Sequence, residues 1–160
     1  MEDGRLSSIG NGIYRSENGD YDELLFLQYR HRKAIYSYET ALSLLGVGDK
    51  FMGNVEVTVP YRYKISSPMQ NMHVSYVNID LLDLGVTEVK MMFGHTVKAY
   101  GMERTICDFI RNEKKMDHEV YVNTLKSYGH YENRDTHLLY EIAPEMKIED
   151  KVSRLMEVIL

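Results

Sequence analysis

The hydrophobic period of the sequence changes at Gly101, and this change limits the possible folds more than any other feature. Over residues 55–59, valine alternates with polar residues, which is the pattern of a half-buried strand. Over residues 102–110, apolar residues recur every three or four positions, which is the pattern of one helix face. The sequence therefore predicts an α+β fold, in which a mixed, largely antiparallel sheet is packed with helices and followed by a helical C-terminal third.

Turn and capping residues divide the chain into elements. The run Gly10–Gly12 tolerates a positive φ and predicts a β-hairpin of residues 5–9 and 13–15. Further strands are predicted at 34–36, 55–59, 74–79, 86–92 and 96–100. Helices are predicted from Asp20 or Asp22 to Tyr29, from Ser37 to Leu45, over 102–110, after the caps Asp117 and Asp135, and over 148–159.

Charge and cysteine content exclude several classes of protein. The formal net charge of −5 argues against a chain that coats nucleic acid with its whole surface, but it is compatible with a local basic face. Cys107 is the only cysteine; it is interpreted as core filling, and its isolation fits a reducing cytoplasm. No bilayer-spanning apolar run and no signal peptide are visible in the sequence. We expect a cytoplasmic protein without membrane association.

The sequence contains no motif for a cofactor or a metal. Its histidines do not pair at i, i+4 or at a Cys/His ligand spacing; they are His31, His73, His95, His118, His130 and His137. Glycine-rich dinucleotide motifs, phosphate-binding loops and the Gly-x-Ser-x-Gly elbow are likewise missing from the sequence. We therefore predict no cofactor, no metal and no enzymatic activity.

Six segments, in order over almost the whole chain, form a recognisable set. They are Gly4–Arg15, Ser37–Leu42, Val57–Pro60, Leu84–Val86, Phe93–His95, and Glu103–Asp108 followed by Arg111. Their order and spacing resemble the AbiEi antitoxin family of type IV toxin–antitoxin, abortive-infection systems. In that family the first segment is the wing hairpin of a winged helix-turn-helix, the last is a signature helix, and His usually stands where this chain has Tyr38.

The resemblance implies two domains and a regulatory function. Residues 1–16 would be the remnant wing hairpin, and residues 17–160 the antitoxin α/β domain, which has been likened to a nuclease fold without the active site. The family's three DNA-binding helices precede the wing, where this sequence starts, so direct DNA reading is expected to be absent. The implied partner is a nucleotidyltransferase-like toxin, which the antitoxin counteracts without requiring a stable complex. A full-length protein would also repress its own operon by DNA binding.

The polar residues of the signature-like segment are Glu103, Arg104, Thr105, Asp108 and Arg111. On a helix, Arg104 and Asp108 are neighbours at i, i+4, and Asp108 and Arg111 at i, i+3. Two interpretations are open: a polar patch that binds a nucleotide or a partner, or an ion-paired helix face that fixes packing against the sheet. Arginine favours bidentate pairing, so partial burial is expected.

Four charged residues suggest an alternative function. Asp80 or Asp83, followed by Glu88 and Lys90, gives an acidic pattern ending in Glu-x-Lys. In metal-dependent nucleases such residues hold Mg²⁺ and polarise the scissile phosphate. The alternative function is therefore a nuclease-like enzyme, and the competing interpretation is a solvent-facing cross-strand pair.

Basic residues alternate with tyrosines in two segments, 29–33 and 61–64. This mixture suits phosphate contact combined with base stacking, although solvated loop charges give the same pattern. We expect Arg62 and Lys64, together with Arg5 and Arg15 of the hairpin, to contact the backbone of operator DNA. Such contacts would add affinity and salt dependence without sequence recognition.

Overall fold

The structure, a computed structural model, describes residues 6–10, 13–16, 23–48, 54–66, 71–91 and 94–160. Within these ranges the strands are β1 (Leu6–Gly10), β2 (Ile13–Ser16), β3 (Ile35–Tyr36), β4 (Val55–Pro60), β5 (Met72–Val77), β6 (Val86–Lys90) and β7 (Thr96–Tyr100). The helices are α1 (Glu23–Arg30), α2 (Tyr38–Leu44), α3 (Ile79–Leu82), α4 (Met102–Arg111), α5 (His118–His130), α6 (Thr136–Glu145) and α7 (Glu149–Ile159). The predicted α+β class and the helical C-terminal third are confirmed.

Strands β3 to β7 form one five-stranded sheet in the order β5-β4-β3-β7-β6. The predicted mixed character is confirmed: β3–β4 and β6–β7 are antiparallel, whereas β4–β5 and β3–β7 are parallel. Antiparallel pairs do not predominate in this sheet, because β5 pairs in parallel with β4 and β7 pairs in parallel with β3. Strands β1 and β2 form a separate antiparallel sheet, as predicted for the hairpin.

Asparagine and aspartate side chains fix several helix starts. Asp117 and Asp135 each accept a hydrogen bond from the backbone N–H three residues further on, so the caps predicted for α5 and α6 are confirmed. The strand predicted over 74–79 ends at Val77 instead, because Asn78 caps the short helix α3 by accepting the N–H two residues later. Helix α3 was not predicted.

The start of α2 is capped differently from the prediction. Ser37 precedes the helix as expected, but its side chain makes no capping hydrogen bond. Its hydroxyl instead accepts a buried hydrogen bond of 2.8 Å from the Thr58 hydroxyl on β4. The carboxylate of Glu56 supplies the cap, because its Oε2 accepts the Glu39 N–H at 2.8 Å. Side chains of β4 therefore position α2.

Helix α4 lies at the centre of the molecule, in contact with α2, α5, α6, α7 and β7. Every residue from Met102 to Ile110 is buried. The sequence predicted an apolar stripe with a partly buried polar side, so complete burial of that side corrects the prediction. A helix can be buried all round only when its polar side chains find partners inside the protein.

Among the described residues, the apolar core divides into three clusters. The first joins α4 to the helices around it, with Phe109, Tyr128 and Leu139 among its members. The second lies between α1 and the sheet, and the third joins β3, α3 and β7. None of the helices in the described ranges has the length and apolar character needed to cross a membrane.

Candidate functional site

Arg104 is fully buried, with 0% of its surface exposed; its Nε and Nη1 atoms donate hydrogen bonds, whereas its Nη2 atom and Oδ2 of Asp108 are buried without a hydrogen-bond partner among the described residues. Its Nε donates to Oδ1 of Asp108 at 3.1 Å, as the i, i+4 spacing predicted. Its Nη1 donates to the carbonyl oxygens of Leu81 and Leu84, both at 2.6 Å. The guanidinium carbon lies 4.0 Å from the centroid of the Tyr100 ring, which is a cation–π distance. Arg104 therefore joins α4 to α3 and to the turn that follows α3.

Gly85 permits this close approach. Its φ is +77°, and a Cβ at this position would lie 2.5 Å from the Cβ of Arg104. Only glycine adopts this backbone conformation without strain and leaves room for the arginine stem. The turn that the sequence predicted around Leu84–Val86 is therefore part of the packing of α4.

Two further polar residues of α4 also make hydrogen bonds to neighbouring segments of the fold. Glu103, 7% exposed, accepts the backbone N–H of Asp135 at 2.7 Å and the hydroxyl of Tyr128 at 3.4 Å. The Thr105 hydroxyl donates to the carbonyl oxygen of the last β7 residue at 3.5 Å. Of the five signature-like residues, Arg111 is the one that is exposed. The geometry favours the packing interpretation for Glu103, Arg104 and Thr105.

A groove of about 660 Å³ opens beside the C-terminal end of α4. Asp108 and Arg111 line it together with Lys115, which follows α4. Tyr38 at the start of α2 and Glu56 on β4 also line it. Residues of β5 including Tyr76, Tyr61 in the loop after β4, and the start of α5 complete the groove. This groove is the candidate functional site.

Tyr38 occupies the groove in a conformation that is rare for a bulky residue. Its φ is +51°, in the left-handed region that costs an L-residue roughly 1–3 kcal/mol and that is found preferentially at functional sites. The Tyr38 hydroxyl accepts a hydrogen bond of 2.8 Å from Nδ2 of Asn112. Its ring lies 5.6 Å from the Phe109 ring. These contacts with α4 hold the strained residue in place.

Burial shifts the pKa values of the groove residues. Burial raises the pKa of Glu56 to about 7 and that of Asp108 to about 6, although Arg104 opposes the shift at Asp108. Burial, reinforced by the two nearby carboxyl groups, also raises the pKa of the Tyr38 hydroxyl above its ordinary value. Burial raises the pKa of the Cys107 thiol to about 12. Neither the phenol nor the thiol is therefore a ready nucleophile at neutral pH.

Sequence reasoning did not identify Tyr38, Glu56 or Lys115 as site residues. The signal for Glu56 was its place in a valine-rich strand, where alternation assigned it to a solvent-facing position. Because β5 pairs in parallel with β4 and α4 crosses nearby, that side chain faces the groove instead. No local pattern in the sequence encodes this meeting of distant segments.

The residues of the nuclease alternative do not form a site of that kind. Asp80, Asp83, Glu88 and Lys90 are exposed on α3, on the turn after it and on β6. In the β6–β7 register Glu88 is opposite Lys98, which matches the cross-strand interpretation. In the part of the chain that the structure describes, no group of three or more His, Cys, Asp or Glu residues could hold a metal ion. The alternative therefore lacks support from the geometry.

The structure describes only part of the predicted DNA-contacting set. Arg62 and Lys64 are exposed in the loop that follows β4. Arg5 and the side chain of Arg15 lie outside the described residues. The paired backbone of β1 and β2 is consistent with the predicted hairpin, and the contacts of its arginines stay a prediction.

Comparison with known proteins adds no family assignment. Neither a protein-family model nor a curated protein matches this sequence. The resemblance to the AbiEi family therefore rests on the six segments described above. A fold alone does not determine function, so the function depends on the chemistry of the groove and of the exposed side chains.

Proposed function

We propose that this chain is the antitoxin of a type IV toxin–antitoxin, abortive-infection system, acting in the cytoplasm against a nucleotidyltransferase-like toxin. It acts by binding and regulation and is not an enzyme. The six ordered segments that resemble the AbiEi family support the choice of system. The hydrogen bonds that the polar residues of α4 make within the protein support a mechanism of binding without catalysis.

The observation that carries the non-catalytic part is the engagement of the signature-like residues within the fold. Three hydrogen bonds direct Arg104 inward, and Glu103 accepts hydrogen bonds from neighbouring helices. Cys107 is fully buried. Side chains bound in this way stabilise the molecule and are not free to reach a substrate.

The groove is the surface that we propose for the contact with the toxin. Arg111 and Lys115 bring exposed cations to it. Glu56 and Asp108 add carboxyl groups whose raised pKa values leave part of their population protonated near pH 6–7. A polar segment of a partner could therefore find both donors and acceptors within one concave site. Brief engagement is sufficient, since a stable complex is not required.

Growth rescue in a cell that expresses the toxin encoded beside this chain tests the proposal. The wild-type chain should restore growth. The groove variant Arg111→Glu/Lys115→Glu should lose most of the protection because it reverses the exposed charge of the site. A matched variant, Lys126→Glu/Lys147→Glu, makes the same charge change at exposed positions on α5 and after α6 and should protect like the wild type.

Each outcome of the rescue experiment has a clear meaning. If the folded wild-type chain does not restore growth, the antitoxin proposal is wrong. If the groove variant protects as well as the matched variant, the toxin is met elsewhere on the surface. If Asp80→Asn/Glu88→Gln abolishes protection while the protein stays folded, the nuclease alternative regains support.

The regulatory part of the proposal concerns operator DNA. In a protein that carries DNA-reading helices, the hairpin arginines Arg5 and Arg15 would contact the DNA backbone, with Arg62 and Lys64 as further candidates. A gel-shift series on the chain's own promoter should show log K falling with log[salt] by roughly 0.9 for each phosphate neutralised. A slope near zero would contradict these contacts.

A further inference from the structure

Two long segments of the chain contain no acidic residue. Residues 24–38 and 57–79 hold five of the 19 Lys and Arg residues and none of the 24 Asp and Glu residues. The chain as a whole carries a net charge of −5. These segments hold their proportionate share of the basic residues and none of the acidic ones, so their local net charge is positive in a protein that is acidic as a whole, and a local positive charge favours anion binding.

The structure brings these two segments together. The Nδ1 atom of His31 lies 3.1 Å from the hydroxyl of Tyr63, and Nε2 lies 3.1 Å from the carbonyl oxygen of Ser66. His31 is buried, and the two rings meet edge to face with centroids 6.0 Å apart. The buried histidine thus joins the end of α1 to the loop after β4. The end of the first basic segment therefore lies beside the second.

Three tyrosines of these segments are unusually exposed for large aromatic residues. Tyr29 is 66% exposed, Tyr61 is 64% exposed and Tyr76 is 48% exposed. The rings of Tyr61 and Tyr76 are nearly parallel, with an interplanar angle of 11° and centroids 6.5 Å apart. The two rings present flat apolar faces at the surface, and exposing such faces to water is energetically unfavourable.

The backbone holds this pair of rings in place. The Tyr61 N–H donates to the Val77 carbonyl at 3.0 Å, and the Tyr63 N–H donates to the Pro60 carbonyl at 3.1 Å. Arg62, between them, has a φ of +72°, so the loop makes a tight turn. The rings therefore form a platform that is largely organised before any ligand arrives, which lowers the entropy cost of binding.

Exposed cations lie next to the rings in the sequence. Arg32 and Lys33 follow α1, and Arg62 and Lys64 alternate with the tyrosines of the loop. We call these four cations and the three exposed tyrosines the Tyr–Arg surface. Flat aromatic faces accept unpaired bases, and nearby cations contact phosphates. In a duplex the base faces are already stacked on one another, so they are not available to stack on the tyrosine rings.

We propose that the Tyr–Arg surface binds single-stranded nucleic acid, with bases stacked on Tyr61 and Tyr76 and phosphates held by Arg62 and Lys64. Tyr61 and Tyr76 also line the groove that we propose for the toxin, but this inference does not rest on the antitoxin proposal, since strand binding is measured without the toxin. It assigns Arg62 and Lys64 to an unpaired strand in place of duplex operator DNA. Recognition would depend on stacking and charge and would tolerate many base sequences.

Fluorescence anisotropy with labelled 12-nucleotide strands tests the proposal on the full chain. Three probes of the same sequence are compared: single-stranded RNA, single-stranded DNA and the DNA duplex. We expect either single strand, or both, to bind at least 10-fold more tightly than the duplex. The RNA and DNA arms decide which kind of strand is preferred. Raising the salt should weaken binding with a slope near −0.7 for each phosphate neutralised.

Matched variants separate stacking from charge. Tyr61→Ala/Tyr76→Ala should weaken binding by roughly 100-fold, since each of the two base stacks contributes about 10-fold. Tyr140→Ala removes a tyrosine that is 44% exposed on α6, outside both acid-free segments, and should leave binding unchanged. Arg62→Gln/Lys64→Gln should reduce the salt slope. Thermal unfolding of each variant confirms that it is folded.

Several results would overturn the inference. They are no binding of single strands at ~10 μM protein, equal binding of duplex, equal weakening by Tyr140→Ala, or full competition by an acidic polyglutamate peptide. The last result would indicate an acidic protein partner. If a double tyrosine variant does not fold, photo-crosslinking of 4-thiouridine RNA to the wild type provides the second readout. Crosslinks that avoid peptides containing Tyr61 and Tyr76 would contradict the proposal.

Discussion

Replacing Arg104 by methionine should be among the most destabilising single changes in this protein. The substitution keeps much of the side-chain volume but removes three hydrogen bonds, to Asp108, Leu81 and Leu84. Removing one partner of a buried ion pair costs about 3–5 kcal/mol, and two carbonyl oxygens left unsatisfied add roughly 1–3 kcal/mol. We expect a loss of roughly 4–8 kcal/mol from a total stability of about 5–15 kcal/mol.

The loss should depend on pH in a defined direction. The pKa of Asp108 in the folded protein is already raised to about 6, above its ordinary value of 3.8. A carboxyl with a raised folded pKa contributes stability below its unfolded pKa, and that stability is lost as the pH rises through the folded value. Arg104→Met removes the opposing positive charge and raises the pKa of Asp108 further. The variant should therefore lose more stability at pH 8 than at pH 5.

Urea unfolding monitored by circular dichroism measures both effects. Arg111→Met, on the same helix but exposed, is the matched control and should change stability by no more than ~0.5 kcal/mol. In the double variant, Asp108→Asn should cost little more or recover part of the loss, because the two residues are coupled. A loss below about 1 kcal/mol for Arg104→Met, or strict additivity in the double variant, would refute the structural role argued for this pair.

Three further changes test other parts of the structure. Gly85→Ala should destabilise the protein by roughly 2–4 kcal/mol in urea unfolding, because it combines left-handed strain with a collision against Arg104. The control Gly46→Ala, at φ +76° with nothing within 4 Å of the added Cβ, should cost only about 1–2 kcal/mol. Equal losses of stability in the two variants would contradict the collision. Since burial raises the pKa of Glu56 from 4.5 to about 7, the free energy of unfolding should fall as the pH rises between these values. Glu56→Gln should reduce this pH-dependent change by roughly 1–2 kcal/mol. An unchanged dependence of stability on pH in the variant would refute the shift. Because burial raises the pKa of the Cys107 thiol to about 12, a thiol reagent should label the folded protein only at the rate of unfolding, and rapid labelling would show that the thiol is accessible.

The predicted elements agree well with the structure where the pattern is local. The alternation over residues 55–59 and the caps at Asp117 and Asp135 each depend on a few consecutive residues. The strand predicted over 74–79 was too long because Asn78 forms a cap, and a single polar residue outweighs a weak alternation. The parallel pairing of β4 with β5 could not be predicted, because strand direction depends on how the intervening chain returns.

The candidate site was predicted only in part. The spacing of Arg104 and Asp108 predicted their contact, but not the complete burial of both side chains or the hydrogen bonds from Arg104 to Leu81 and Leu84. Sequence reasoning also noted both basic segments, yet it could not show that His31 joins them. In each case the missing information is a contact between residues far apart in the chain.

The sequence by itself determined most of the helices and strands, with α3 as the exception, because that choice follows from the spacing of apolar residues over a few turns. The tertiary structure decided what the polar residues do. In the folded protein Arg104 joins α4 to α3, and Glu56 caps α2 with a raised pKa. The rings of Tyr61 and Tyr76 lie parallel to each other at the surface. Burial, hydrogen-bond partners and pKa depend on neighbours from distant segments, and only the folded chain brings those neighbours together.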